Sequence, residues 1–308
     1  MPQPPMLPWW DARLAYEGDD PISAVYRRLQ SRWREDELRL PPGEYIDSRT
    51  KRTRPLGSRL PDGTDLTYQL LSEEAVARAR RRYPNLKAAD RLRVNMLSST
   101  PLCFSLFGHL DAFRDAAARV LSAALPWSVE FVESIEFERA PDAAARRIGG
   151  GKKDRTSFDA MLIVHSHGTR LLVGVETKYI EPFSQGRYDK DSYRATSTRP
   201  GSWFTQGAAD QAVKASTNQL WRNLMLAQES EVDAGVPAAV AVVAPRTNPH
   251  ARGGAEQMAK LLVEPHRRLA LVSLEDIVAA ALKEPSIAAW AETFSRRYLE
   301  ASWADVPT

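Results

Sequence analysis

The sequence predicts an α/β domain over residues 95–308, a mixed β-sheet flanked by helices, behind a mostly helical extension over residues 1–94. Three observations carry this expectation. Two apolar runs of strand length, 158–164 and 171–175, are joined by a short polar link; a third apolar run fills 238–244; and helical periodicity precedes and follows them. In chain order the elements are a helix at 111–124, strands at 129–138, 158–164 and 171–178, a helix at 217–228 and a strand at 238–244. A further helix opens on Ser273, Leu274, Glu275 and Asp276, which have capping-box spacing. That order is what a helix-covered mixed sheet produces.

Each element has its own signal. In 129–138, Val129, Phe131, Ile135 and Phe137 alternate onto one face, which leaves Glu138 on the opposite, polar face. The link 165–169 contains Gly168, so 158–178 reads as a β-hairpin, with His165 and His167 as exposed turn residues. Thr217 is the expected N-cap of a helix carrying Leu220 and Leu224 at helical spacing, on which Gln219 and Arg222 share a face. Near the C-terminus, Ile287, Trp290, Phe294 and Tyr298 form a core stripe. In the extension, residues 1–10 are Pro-rich and expected to be irregular, without the pattern of a secretory signal. Ile22, Val25, Tyr26, Leu29 and Trp33 make an amphipathic helix, residues 49–59 read as a basic loop, and 72–82 as a helix whose charges suit its dipole at both ends.

The chemistry concentrates at the hairpin. Successive strand side chains alternate faces, so Glu176 and Lys178 share one face and Thr177 points the other way. An unpartnered charge there would cost several kcal/mol, roughly, to bury. If the strands are antiparallel, Asp159 lies opposite the end of the second strand, and two carboxylates converge with an amine. Hard oxygen ligands from Asp159, Glu176 and the Thr177 carbonyl suit Mg²⁺ or Mn²⁺, with Glu138 as a candidate third carboxylate. A divalent cation activates water and neutralises charge on a phosphate, while Lys178 can orient that water, so the trio suits phosphodiester hydrolysis. A structural ion pair between Glu176 and Lys178 explains the same residues without catalysis.

The residues Thr156, Ser157, Phe158 and Asp159, the box from Glu176 through Thr177, Lys178, Tyr179, Ile180, Glu181 and Pro182 to Phe183, and the later run Asn218, Gln219, Leu220, Trp221, Arg222, Asn223 together resemble the PD-(D/E)XK nuclease superfamily. Within it they look like a bacterial family assigned as restriction endonucleases, and Leu97, Ser98, Ser99, Leu102, Cys103 and Phe104 add to the likeness. The resemblance implies a restriction-endonuclease-like core at about residues 95–282, with Asp159 and Glu176 as metal ligands and Lys178 as the catalytic lysine. It also implies an endonuclease acting on DNA, double-stranded by expectation, in restriction or defence. A catalytically silent nucleic-acid-binding protein and an RNA-directed nuclease are the alternatives. One departure is that the helix at 111–124 offers Asp111 and Asp115 but no Glu for the usual acidic residue of the first core helix.

Composition sets outer bounds. A hydrophobic fraction of 43% is ample for a core, and the net charge of +3 is too mild to identify a nucleic-acid partner by itself. Cations cluster at 49–59, 78–82, 146–155 and 187–199, where each group could neutralise phosphates. The segment 179–209 exceeds an ordinary connection and mixes Arg187, Tyr188, Lys190 and Arg194 with other aromatics, so it is expected to contact nucleic acid or to cover the site. Cys103 is the single cysteine, which excludes an intramolecular disulfide and fits a reducing cytoplasm. Gly149, Gly150, Gly151 and Lys152 miss the phosphate-loop spacing at Arg146 and Lys153. No apolar run reaches membrane-spanning length. A homodimer would allow cleavage of both strands, by analogy with other nucleases.

Overall fold

The structure is a computed structural model that describes residues 16, 18–47, 51–83 and 90–301. The expectation for residues 1–10 lies outside the described residues, as do positions 49 and 50. The chain runs α1 (Pro21–Arg32), which continues into a π-helical turn (Trp33–Glu37), β1 (Gly43–Ile46), β2 (Thr53–Leu56), α2 (Leu66–Gln69), α3 (Glu73–Arg82), α4 (Asp90–Val94), α5 (Ser99–Ala112) and α6 (Arg114–Ala124). It continues through β3 (Phe131–Arg139), α7 (Asp142–Ile148), β4 (Phe158–Ser166), β5 (Thr169–Thr177), α8 (Asp191–Thr198), α9 (Ala208–Ala212) and α10 (Ala215–Ala234). Then come β6 (Ala238–Ala244), α11 (Pro249–Ala259), α12 (Pro265–Arg268), β7 (Leu269–Ser273), α13 (Leu274–Ala281) and α14 (Ala288–Tyr298).

The main sheet has the order β3-β4-β5-β6-β7. Its first three strands are an antiparallel meander, and β6 and β7 join in parallel. His167 and Gly168 turn the β4–β5 hairpin, both at positive φ, as a two-residue connection between right-twisted strands requires. His165 belongs to β4 rather than to the turn and faces the Glu133 carboxylate at 3.1 Å. Every residue of β6 is buried, as expected of a parallel strand covered on both faces.

Alternation along β5 divides two cores. Leu171, Val173 and Val175 join the core beneath α5, α6, α13 and α14, whereas Leu172 faces the second core under α7 to α11. The segment before residue 95 packs into the first core through Tyr26, Leu66, Leu70, Val76 and Leu92. On the second face, Gly174 lies under the ring of Phe158, and a Cβ at Gly174 would meet that ring at 2.3 Å. Gly174→Val is therefore expected to overpack a fully buried contact and cost about 1–3 kcal/mol, read as a lower urea midpoint. An unchanged midpoint would mean that Phe158 has room to move.

Several expectations are corrected. The helix expected at 111–124 is two helices that break at Phe113, so Asp111 lies in the last turn of α5 and is held by Arg78 at 2.5 Å and Arg114 at 2.8 Å. The alternation expected in 129–138 fails because a bulge between Val132 and Ser134 shifts the register. Val132 is buried, and Phe131 is 46% exposed. The basic loop at 49–59 contains β2, which pairs with β1. The helix expected from Thr217 begins at Ala215, and the Thr217 hydroxyl donates back to the carbonyls of Ala212 and Lys214 instead of capping. The segment 179–209 is partly helical, since it contains α8.

Candidate active site

The C-terminal end of β5 meets the N-terminal half of α10 on the second face of the sheet. Here the strand alternation puts Glu176 and Lys178 side by side, 1% and 6% exposed. Lys178 Nζ donates to Glu176 Oε1 at 2.6 Å, Gln219 Nε2 donates to the same oxygen at 2.6 Å, and Asn223 Nδ2 donates to Glu176 Oε2 at 2.7 Å. Gln219 and Asn223 lie four apart on α10 and so share the face that meets the strand. Gln219 Oε1 also accepts from Lys178 Nζ at 3.2 Å and from the Ser184 amide at 2.8 Å. One glutamine thus fixes the acid, the amine and the turn after the strand.

Asp159 sits where β4 and β5 stop pairing. The last paired residues are Ala160 and Val175; beyond them the Asp159 carboxylate accepts the Thr177 amide at 2.8 Å. Burial pushes the Asp159 pKa well up, the Glu176 carboxylate adds to this, and Lys178 opposes it. Burial would lower the Lys178 pKa, but Glu176 and Asp159 outweigh it and hold the ammonium above its ordinary value. The amine is accordingly charged at neutral pH.

Glu138 also belongs here, and its placement corrects the sequence reading of a polar, solvated face. Its φ of +50° is rare for a residue with a side chain and distorts β3 one residue before its end. Arg82 holds that backbone, donating to the carbonyls of Phe137 and Glu138 at 3.1 Å each. The half-buried carboxylate accepts from Ser157 Oγ at 3.4 Å. Burial raises its pKa against the hydrogen bond from Tyr83 and the Arg82 charge, with Glu176 pushing further up. Tyr83 and Arg82 were not foreseen as part of this environment, because they lie far away in sequence on α3 and its cap.

The site residues expected to grip nucleic acid divide. Gln219 reaches the centre itself. Arg222 stacks on Tyr188, its guanidinium 4.5 Å from the ring centroid, and donates to Thr156 Oγ1 at 3.0 Å; the Tyr188 ring is 48% exposed. Lys190 and Arg194 lie at the surface but are paired within the chain: Lys190 with Asp154 at 2.6 Å, and Arg194 with Asp189 at 2.8 Å and Asp210 at 2.7 Å. Arg187 is exposed. The remaining box residues shape the turn after β5. Glu181 accepts the amides of Ser99, Tyr179 and Ile180, and the Phe183 ring lies 5.3 Å from Lys178 Nζ.

A family model of the PD-(D/E)XK nuclease superfamily matches residues 17–300. The chain belongs to this superfamily. Its mixed five-stranded sheet flanked by helices is the α/β architecture expected of a PD-(D/E)XK protein, a group of metal-dependent nucleases. No curated protein and no solved structure matches the chain significantly.

Superfamily nucleases typically use divalent metal ions, and the donor set here suits one by charge. Glu176 and Asp159 act on the Lys178 ammonium, and Glu138 stands close enough to feel the Glu176 charge; burial first, and then the neighbouring carboxylates, raises the pKa values of Asp159 and Glu138. Among the described residues no three acidic, His or Cys side chains are already drawn together as a metal cage. Glu176 is turned into its Lys178, Gln219 and Asn223 partners, so binding a cation would require its carboxylate to be shared or released.

Proposed function

We propose that the protein is an endonuclease that hydrolyses phosphodiester bonds of double-stranded DNA in the cytoplasm, in restriction or another defence role, using Mg²⁺ or Mn²⁺. The observation that carries this reading is the meeting of Asp159, Glu176 and Lys178 at the end of the β4–β5 hairpin in a PD-(D/E)XK chain. Asp159 and Glu176 would hold the metal, with the Thr177 carbonyl as a further oxygen and Glu138 as a third carboxylate. When bound, a divalent cation lowers the pKa of a water ligand and neutralises charge on the phosphate.

The chain's own groups supply the rest. Lys178, kept protonated by its two acidic neighbours, can donate to the attacking water or to a phosphate oxygen as negative charge grows there. Gln219 holds the lysine in register by accepting from its ammonium while donating to Glu176. Asn223 restrains the other Glu176 oxygen, so the carboxylate has a defined orientation before substrate arrives.

A second reading has one specific observation behind it. Both Glu176 oxygens are already satisfied by protein donors, as in a structural ion pair, which favours a catalytically silent nucleic-acid-binding protein. The test is incubation with supercoiled plasmid, linear duplex, single-stranded DNA and RNA, each in Mg²⁺, in Mn²⁺ and in chelator. Nicking and linearisation of duplex DNA that needs the metal is the expected result. Degradation of RNA alone would move the substrate class, and duplex binding without cleavage in either metal would favour the silent reading.

A further inference from the structure

A cleft of about 820 Å³ opens beside Glu138 and Ser157, between the end of α3, the edge strand β3 and the loop after α7. Among the described residues, seven cationic side chains line it against four carboxylates. Three of those acids have partners of their own. Asp111 is held by Arg78 and Arg114, Asp154 by Lys190, and Glu136 pairs with Arg139 at 3.2 Å. Arg81 and Arg155, by contrast, are exposed and make no ion pair among the described residues.

Both arginines stand on anchored backbone. Arg82, next to Arg81, is tied to the carbonyls of Phe137 and Glu138, which fixes the end of α3 against the site. Asp154, next to Arg155, accepts from Thr156, Lys190 and Tyr193, which fixes the loop after α7. Anchored cations without an ion-pair partner among the described residues, lining one cleft that reaches Glu138 at the edge of the centre, suit an anionic ligand that extends past it.

We propose that this cleft seats the phosphate backbone of duplex DNA flanking the bond to be cut, with Arg81 and Arg155 as its principal phosphate contacts; the proposal rests on the nuclease reading of the adjacent centre. The lining favours a duplex over a single strand. Among the described residues its one ring, Phe137, is 7% exposed, so they present no aromatic platform on which unpaired bases could stack. Backbone contacts of this kind set position and affinity without reading sequence.

The test is anisotropy of a labelled duplex in chelator, so that cleavage does not intervene, across a salt series, for the wild type and Arg81→Glu/Arg155→Glu. A charge control reverses Arg267 and Arg296, which lie outside the cleft. The cleft variant is expected to bind more weakly, with a slope of log affinity on log salt shallower by about 2, about 1 for each phosphate that no longer meets a cation. The charge control keeps the wild-type slope, and a single strand of equal length binds more weakly than the duplex. A cleft variant that binds like the wild type, a control that weakens binding as much, or a wild type that binds no duplex overturns the assignment. If the wild type still cleaves duplex DNA in that case, the nuclease reading stands without it; an absence of metal-dependent cleavage removes the nuclease reading instead.

Discussion

Lys178→Met is expected to lower the melting temperature on the order of 10 °C in chelator and to cut any cleavage rate by about 10²–10³-fold or more. The stability loss follows from what remains. Glu176 is 1% exposed, and without the ammonium its carboxylate keeps only the amide donors of Gln219 and Asn223 while Asp159 stands nearby. Removing one partner of a buried ion pair in this way costs about 3–5 kcal/mol. The rate loss follows from removing the positive side chain hydrogen-bonded to Glu176. Adding Mg²⁺ is expected to recover part of the lost stability, because the uncompensated negative charge then has a counter-ion. A melting curve that ignores Mg²⁺ in both proteins would show that these carboxylates hold no metal.

Asp159→Asn is expected to move activity and stability in opposite directions. Burial and the Glu176 charge hold the Asp159 pKa well above its ordinary value of 3.8. The native state therefore binds this proton more tightly than the unfolded chain, and metal-free stability rises as the pH falls from the folded pKa toward the unfolded one. Above the folded pKa the ionised carboxylate exerts its full destabilising effect, which the neutral amide removes. The Asn side-chain oxygen can still accept the Thr177 amide, as the carboxylate does at 2.8 Å. In chelator at neutral pH the variant should melt above the wild type, by a margin that narrows as the pH falls toward the unfolded pKa, and it should fail to cleave in metal. A variant that melts lower at neutral pH would mean that Asp159 is a stabilising acid rather than a poised ligand.

The parity of Glu176 and Lys178 was legible because β5 is a central, regular strand whose neighbours on both sides enforce alternation. The same logic failed in β3, where one extra residue at the bulge turned Phe131 outward and a positive φ at Glu138 turned that carboxylate toward the centre. Neither feature leaves a mark in hydrophobic spacing. β7 escaped notice because it is five residues long and abuts helices on both sides. Asn223 could have been found from its i, i+4 relation to Gln219, since both lie on the face of α10 that meets Glu176. The pairing of Lys190 with Asp154 and the break of the helix at Phe113 depend on contacts between distant segments, which one chain read in order does not display.

The basic segments show why charge counts mislead. Residues 187–199 looked like the better nucleic-acid contact, yet Lys190, Arg194 and Arg199 are neutralised by Asp154, by Asp189 and Asp210, and by Glu229. The shorter cluster at 78–82 keeps Arg81 unpaired among the described residues and stands beside Glu138.

Plasmid cleavage by the wild type, Asp159→Asn and Lys178→Met, run side by side in Mg²⁺, in Mn²⁺ and in chelator with folding checked by circular dichroism, tests the assignment of the centre most directly. Cleavage by the wild type in metal alone, with both folded variants inactive, is the predicted result; variants that cleave as fast as the wild type would contradict it.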